Sequence, residues 1–215
     1  MLGKLLYQLK TYQNQRKEIP DDYPFIMYPE EKVLLKKHLE NARNFLEFGL
    51  GGSTIFSLIH SKVNIISVDT NQKWIGFMKK YKIVKNHISK RLKIHFIDIG
   101  PTKQWGYPVD NSQQERFPDF SARIFSLEDP AKFDLILIDG RFRVACTLQS
   151  ILHCHQNKNL KILIHDYSLR NQYQEVEKYL NLIEKTKTLY CFQVKTDLNI
   201  EALQESYLKY QYIPD

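Results

Sequence analysis

Short runs of β-branched and aromatic residues alternate along the chain with longer segments in which apolar residues recur every three or four positions. The short runs predict strands, and the recurring pattern predicts helices with one buried face. This alternation is typical of a parallel sheet whose crossover helices cover both faces. The predicted strands are residues 44–48, 63–68, 93–97, 133–138, 160–164 and 188–194.

The predicted helices carry signals for where a helix starts. Pro29 stands at the first position of one, and Glu30 and Glu31 lie in its first turn, which suits the helix dipole. The predicted helices are residues 29–42, 54–60, 72–81, 144–155, 173–182 and 200–210. This order predicts one α/β domain over residues 24–215, with a doubly wound, mostly parallel sheet in three α/β/α layers. Residues 1–23 are predicted to form an N-terminal arm or helix.

Residues 99–132 interrupt the alternation with a long stretch rich in glycine and proline. Connections of this length in compact domains are usually functional lids or disordered segments. A disordered insert is normally poor in aromatic residues. This stretch contains Trp105, Tyr107, Phe117 and Phe120. We therefore predict an ordered lid loop over the functional site.

Composition narrows the class of protein. The 215 residues are 43% hydrophobic and 26% charged, which excludes a disordered tail, and no run approaches the roughly 18 apolar residues of a membrane span. Cys146, Cys154 and Cys191 form no CxxC pair, and the N-terminal residues lack the apolar stretch of a signal peptide. We expect free thiols and a cytoplasmic protein. The net charge of +7 favours acidic partners.

A glycine-rich turn follows the first predicted strand. Glu47, Gly49 and Gly51 precede a predicted helix, and Asp69 ends the second predicted strand. The glycines let the backbone approach a ligand at the helix N-terminus, and the second carboxylate suits the two hydroxyls of a ribose. This spacing predicts a nucleotide site at the carboxyl ends of the strands.

The charge of the turn indicates which nucleotide it binds. Glu47 would repel the phosphates of a dinucleotide, whereas its carboxylate suits the cationic amine of S-adenosylmethionine. Thr54 stands in place of the third glycine expected for NAD, and the sequence contains no GxxxxGK[ST] loop for ATP. An NAD-linked oxidoreductase is therefore disfavoured.

Four stretches follow this plan: residues 47–54 with the pattern E-x-G-x-G-G-S-T, Ser67-Val68-Asp69, Phe96-Ile97-Asp98 and Leu137-Ile138-Asp139-Gly140. Together they resemble the class I S-adenosylmethionine-dependent methyltransferases over about residues 24–195. The stretches EFGLGGST, LIDGRFRVA and LIHDY are similar to those of a small bacterial-type group within that superfamily. The resemblance implies a Rossmann-like methyltransferase fold with S-adenosylmethionine as cofactor.

The resemblance also implies which residues contact the cofactor. Glu47, Gly49, Gly51 and Ser53 would surround its methionyl and ribose parts. Asp69 would bind the ribose hydroxyls, Asp98 the adenine amino group, and Asp139 would border the reacting sulfonium. A structural role as turn formers or helix caps is the alternative for these acidic residues.

Two arginines follow the fourth predicted strand. Arg141 and Arg143, two residues apart in a turn, would clasp a carboxylate or phosphate. Internal pairing with acidic neighbours is the alternative. Together with Tyr167, Arg170 and Trp105 they form the predicted substrate site, which favours a polar or anionic small molecule.

The same sheet edge supplies the candidate catalytic groups. His165 is predicted as general base from its ordinary pKa, with Asp139 and Asp166 next, and a structural histidine is the alternative. Asp139 and Asp166 also resemble magnesium ligands of the catechol O-methyltransferase-like branch, but His165-Asp166-Tyr167 replaces the Asp-Asn of that branch. No metal ligand set is therefore predicted, and a divalent metal is not favoured as a cofactor.

These features predict an S-adenosylmethionine-dependent methyltransferase that O-methylates a polar or anionic small molecule, such as a sugar or an acidic metabolite. Two alternatives stay open: an RNA ribose methyltransferase, and a catalytically inactive methyltransferase-like module that binds an acidic partner through its basic face. Amino methylation of DNA is disfavoured because residues 138–142 read IDGRF and not [DNS]PP[YFW]. Nucleic acid is thus not the favoured partner, and the oligomeric state is left open.

Overall fold

A seven-stranded sheet forms the centre of the protein in the computed structural model, which describes residues 2–215. The strands are β1 (Asn44–Phe48), β2 (Asn64–Asp69), β3 (Leu92–Phe96), β4 (Leu135–Ile138), β5 (Lys161–Ile164), β6 (Leu180–Thr186) and β7 (Leu189–Val194). Their order is β3-β2-β1-β4-β5-β7-β6, parallel from β3 to β5, with β7 antiparallel to both neighbours. The predicted doubly wound, mostly parallel sheet is confirmed.

Helices and short 3-10 turns connect the strands. The helices are α1 (Leu2–Arg16), α2 (Pro29–Glu40), α3 (Gly52–His60), α4 (Gln72–Met78), α5 (Lys82–His87), α6 (Phe117–Ala122), α7 (Ile124–Leu127), α8 (Arg143–Cys154) and α9 (Ile200–Tyr210). The 3-10 turns are Gln104–Gly106, Gln114–Arg116, Pro130–Lys132, Tyr167–Leu169 and Asn171–Lys178. Within residues 2–215, no helix is both long and apolar enough to cross a bilayer.

Alternate side chains of each central strand enter two hydrophobic cores, one on each face of the sheet. Leu46 and Phe48 of β1 lie in the core that α6 to α9 cover, whereas Phe45 lies in the core that α2 to α5 cover. Because both faces are covered, β4 is buried along its whole length. The three-layer α/β/α architecture follows from this double burial.

The predicted helix over residues 173–182 is wrong. Its first part is the run of 3-10 turns Asn171–Lys178, and its second part belongs to β6. β6 is an edge strand in a hairpin with β7, so Leu182 and Ile183 are about half exposed among polar neighbours. Pairing with β7 decides the structure here, because the local pattern of apolar residues also fits a helix.

Residues 99–132 are a loop only in their first part. Their second part forms α6 and α7, and Phe117, Phe120 and Phe125 enter the hydrophobic core. The ring of Phe120 lies 5.9 Å from that of Phe48 on β1. The prediction of one lid loop over residues 99–132 is therefore wrong beyond residue 116, because the aromatic residues that favoured order anchor this part to the core.

Candidate active site

The predicted functional residues meet at one edge of the sheet. Glu47, Asp69 and His165 lie at or next to the carboxyl ends of β1, β2 and β5, and Asp139 directly follows β4. These four strands are neighbours in the order β2-β1-β4-β5. Open parallel sheets bind ligands in the crevice outside the carboxyl ends of their strands.

The two glycines of the turn after β1 differ in whether another amino acid could replace them. Gly49 has φ +109°, and a Cβ there would lie 3.0 Å from the backbone of Asp139 and Gly140. Glycine is therefore required at this position. Gly51 has an extended φ of −175°, and a Cβ there would meet no atom within 4 Å, so open space lies beside it at the start of α3.

Glu47 does not line this open space. Its side chain is fully buried and accepts hydrogen bonds from the hydroxyls of Ser53, at 2.8 Å, and Thr54 in the first turn of α3. Burial raises the pKa of Glu47 to about 7, although the two hydroxyls counteract it. The predicted contact of Glu47 and Ser53 with a cofactor is therefore wrong for this structure, because the two side chains bond each other inside the fold.

Asp69 and Asp98 follow β2 and β3 on the far side of the glycine turn. Asp69 accepts a 2.7 Å hydrogen bond from the backbone N–H of Asn71, and burial raises its pKa to about 7. Asp98 is exposed, accepts a hydrogen bond from the N–H of Gly100, and forms an ion pair of 3.1 Å with Arg116. Both carboxylates lie at the predicted edge of the sheet. Each already accepts a hydrogen bond from a backbone N–H two residues further along the chain.

His165 lies between two carboxylates. Its Nδ1 is 2.8 Å from Oδ1 of Asp139, and its Nε2 is 3.2 Å from Oε2 of Glu31 on α2. Glu31 is fully buried and also accepts hydrogen bonds from the N–H and hydroxyl of Thr188, both at 2.8 Å, and from the N–H of Tyr28. Asp139 after β4 and Glu31 on α2 therefore hold one imidazole in place from both sides.

This arrangement keeps His165 charged. Burial alone would lower the pKa of His165, but the hydrogen bond and charge of Asp139, together with the charge of Asp166, raise it to about 9. Burial would raise the pKa of Asp139, yet the hydrogen bond from His165 and the charges of His165 and Arg143 lower it. Both nitrogens of His165 face carboxylates, which favours the charged imidazolium over the neutral form that its predicted role as general base requires.

Arg143 bonds to neighbouring residues inside the fold. Its guanidinium lies 3.1 Å from Asp166 and 3.4 Å from Asp139, and its Nε donates to the carbonyl of Gly140 at 2.9 Å. Only 3% of its side chain is exposed. The predicted clasp of an acceptor by two arginines is wrong for Arg143, and the alternative of internal pairing is correct.

Asp139, His165 and Asp166 offer ligand atoms that lie within 4.8 Å of one another. A divalent cation requires a neutral imidazole and free carboxylates. Here the Arg143 guanidinium lies against both carboxylates. Its positive charge would compete with a cation for these two side chains.

The first part of residues 99–132 crosses over this edge. Tyr107 lies beneath the guanidinium of Arg141, 4.4 Å from it, and its hydroxyl accepts a 3.2 Å hydrogen bond from Arg170. A Cβ at Gly106 would lie 3.5 Å from Thr70 and 3.6 Å from Arg141, so the loop spans from β2 to β4. Trp105 has φ +63° and is 65% exposed, at the tip of this loop.

Tyr167 does not belong to the crevice. It is 5% exposed, its hydroxyl donates to Glu177 at 2.8 Å, and its ring packs against Tyr173, Tyr190 and Phe192. The prediction of Tyr167 as a substrate-binding residue is therefore wrong. Asp166, at φ +56°, turns the chain so that the next side chain enters the core.

Two residues that sequence reasoning missed take part in the site. Glu31 carried a signal, because a glutamate in the first turn of a helix is typical of a capping box, but its contact with His165 connects residues far apart in the chain. Asp215 carried none. Its carboxylate accepts hydrogen bonds from the N–H groups of Arg143, at 2.9 Å, and Val144, at 3.3 Å, at the start of α8.

The solved structures that are similar to this chain include a methyltransferase-like protein and two methyltransferases. A methyltransferase-like protein from Silicibacter pomeroyi is 29% identical, with a TM-score of 0.77 over 89% of this chain and 98% of that chain. An O-methyltransferase from Bacillus cereus in complex with SAH is 14% identical, with a TM-score of 0.52 over 89% and 90%. A methyltransferase from Geobacter sulfurreducens is 8% identical, with a TM-score of 0.50 over 89% and 88%. The last two share the fold alone. No protein-family model and no curated protein matches the chain.

Proposed function

We propose that this chain, which belongs to the class I S-adenosylmethionine-dependent methyltransferase superfamily, transfers a methyl group from S-adenosylmethionine to a hydroxyl of a polar, anionic small molecule. One observation carries the proposal. Open space beside Gly51 lies at the end of β1, between the strands that lead to Asp69 and Asp139. A crevice in the middle of an open parallel sheet is the expected ligand site of this architecture.

The residues of the crevice fit S-adenosylmethionine. The backbone at Gly49 and Gly51 can approach the ligand closely, and Asp69 offers a carboxylate to the ribose hydroxyls. Asp98 is the candidate partner of the adenine amino group. Glu47 is buried and does not contact the ligand in this proposal. Asp139 supplies the negative charge that favours a sulfonium, because the lowered pKa of Asp139 keeps its carboxylate ionised.

The bound cofactor would supply both the activated methyl group and its own leaving group. The protein therefore has to orient the acceptor and receive its proton. Within the described part of the chain, the contacts of Asp139 with His165 and Arg143 use Oδ1, which leaves Oδ2 to accept a hydrogen bond from an acceptor hydroxyl. The His165 imidazolium holds Asp139 in place, and we assign it a positioning role and not that of a base.

The charges around the crevice support an anionic acceptor. Arg141 and Arg170 meet on the ring and hydroxyl of Tyr107, beneath the loop that carries Trp105. Arg143 is neutralised by its own neighbours, so we assign the positive charge beside the crevice to the two other arginines. A carboxylate or phosphate on the acceptor would be attracted to them.

Calorimetry tests the cofactor. We expect S-adenosylhomocysteine to bind and NAD and ATP not to bind, because the turn offers no positive charge to a phosphate. Asp69→Ala should weaken the binding of S-adenosylhomocysteine by at least about 2 kcal/mol, as charge-assisted hydrogen bonds are lost. Asp197→Ala, at an exposed residue away from the crevice, is the matched control. Equal binding of NAD, or unchanged affinity in Asp69→Ala, would contradict the proposal.

Turnover tests the acceptor. Release of S-adenosylhomocysteine should be faster with hydroxycarboxylic acids than with their neutral amides, and Arg141→Met should reduce that preference. A preference for the amides would exclude an anionic acceptor. Binding of S-adenosylhomocysteine without turnover of any acceptor in the panel would favour the alternative of a binding module.

A further inference from the structure

The start of α8 forms a buried pocket in which backbone N–H groups and the guanidinium of Arg141 meet. Asp215 fills this pocket. Its carboxylate accepts hydrogen bonds from the backbone N–H groups of Arg143 and Val144. Its main-chain oxygen accepts a 2.6 Å hydrogen bond from Nη1 of Arg141. Asp215 is 6% exposed and Arg141 is 8% exposed. The free N–H groups of a helix N-terminus, together with a guanidinium, form a carboxylate site.

The pocket offers more hydrogen-bond donors than Asp215 uses. Nε of Arg141 and the hydroxyl of Tyr173 are buried and have no hydrogen-bond partner in the described structure. The charges of Arg141, Arg170 and Asp215 all act on the Tyr173 hydroxyl, whose pKa burial raises to about 12. Buried donors without partners are costly, so a ligand with more acceptor oxygens than one aspartate would fit this pocket better.

Asp215 is held in a way that permits exchange. Burial raises its pKa more than its two N–H donors and the charges of Arg143 and Arg141 lower it, so the pocket stabilises this carboxylate incompletely. Tyr212 and Ile213, between α9 and Asp215, are about 40% exposed. The carboxylate can therefore leave the pocket without unpacking the hydrophobic core.

The pocket adjoins the crevice. Arg143 links the two, because its backbone N–H contacts Asp215 while its guanidinium contacts Asp139. Arg141 likewise links the two: its Nη1 donates to Asp215, and its guanidinium stacks on the ring of Tyr107. A small molecule whose anionic group binds in the pocket would therefore extend toward Asp139, the residue that we propose as hydrogen-bond acceptor for its hydroxyl.

We propose that this pocket is the carboxylate subsite of the methyl acceptor, and that Asp215 occupies it until the acceptor's carboxylate displaces it. The claim that the ligand is the methyl acceptor rests on the proposed function. The claim that the pocket binds a carboxylate does not. A dicarboxylate would bond both the N-terminus of α8 and the donors that Asp215 leaves free. The subsite would then select acidic acceptors over neutral ones.

The first test measures binding in the emptied pocket with sodium malonate as probe. The melting temperature of Asp215→Ala should rise by about 3 °C when malonate exceeds its dissociation constant roughly tenfold, relative to sodium chloride of equal ionic strength. Arg141→Met in the Asp215→Ala background should abolish the rise, and Asp197→Ala, in which malonate has to displace Asp215, should show a smaller rise. If Asp215→Ala does not fold, Asp215→Asn removes the charge of the competing side chain and should show a larger rise than Asp197→Ala. An equal response of Asp215→Ala and Asp197→Ala would overturn the subsite.

The second test measures displacement in the unaltered protein. Malonate should accelerate hydrogen exchange of the backbone amides of residues 211–215, because the segment is released when Asp215 leaves the pocket. If malonate stabilises Asp215→Ala but leaves this exchange unchanged in the unaltered protein, Asp215 is a fixed structural cap and the displacement is wrong. Malonate binding with tail release, in a protein that binds no S-adenosylhomocysteine, would instead retain the subsite and reject methyl transfer.

Discussion

At the scale of residues, carboxylates that look alike in the sequence differ in what surrounds them. Glu47 is buried with hydroxyl donors only, and its pKa rises to about 7. Asp139 is paired with an imidazolium and a guanidinium, and its pKa is lowered. Burial favours the neutral acid in the first case, and opposite charges outweigh burial in the second. We therefore expect Asp139, more than Glu47, to supply the negative charge of the crevice.

Glu31→Gln tests whether His165 depends on a carboxylate at each nitrogen. The amide keeps the shape of the side chain but removes one negative charge next to Nε2. We expect the pKa of His165, about 9 in the unaltered protein, to fall toward its ordinary value when measured by NMR titration. Glu30→Gln, at the exposed neighbour, is the control. An unchanged His165 pKa in Glu31→Gln would show that Asp139 alone holds the imidazolium.

At the scale of elements, one turn serves packing and binding through adjacent glycines. A Cβ at Gly52 would lie 2.3 Å from Cβ of Phe25, so the segment before α2 packs directly on the first residue of α3. A Cβ at Gly51 would point into open space. The two glycines lie next to each other at the start of the same helix; the fold requires Gly52, and we expect the ligand to require Gly51.

The pair Gly51→Ala and Gly52→Ala separates these roles. Gly52→Ala should lower the free energy of unfolding by about 1–3 kcal/mol, because the Phe25 backbone has to move. Gly51→Ala should cost less than about 1 kcal/mol, since its extended φ suits alanine, but should weaken S-adenosylhomocysteine binding at least tenfold. Denaturant unfolding and calorimetry measure the two effects. Tight binding to Gly51→Ala would mean that the ligand does not lie against this turn.

At the scale of the whole molecule, the charges beside β4 and β5 tie distant parts of the chain together. Glu31 on α2, His165 after β5 and Asp139 after β4 form one line of hydrogen bonds. Its strength depends on the charge of His165, so the stability of the protein should depend on pH. The folded protein retains the His165 proton at a pH at which the unfolded chain has lost it.

Stability should therefore fall as pH rises. The contribution of the raised His165 pKa is complete below about pH 6.5, where the unfolded chain is also protonated, and is lost as pH rises through about 9. The loss should amount to about 3 kcal/mol of unfolding free energy across that window. Denaturant unfolding at pH 6.5 and pH 9 measures it, and His165→Asn should show a smaller change. Equal pH dependence in both proteins would exclude His165 as its source.

The sequence alone determined the features that depend on neighbours along the chain. The strands that lead to Glu47, Asp69, Asp139 and His165 were predictable because burial on both faces produces short apolar runs. The glycine turn and the carboxylates at strand ends carried the resemblance to the superfamily. These are local patterns with a fixed spacing.

Only the tertiary structure decided which of these residues face the crevice. Ser53 and Thr54 turn Glu47 inward, Arg143 neutralises its own neighbours, and Asp215 reaches the start of α8 from the other end of the chain. Edge strand β6 formed because β7 pairs with it. Charge state and exposure depend on contacts between segments far apart in sequence, and no local pattern records those contacts.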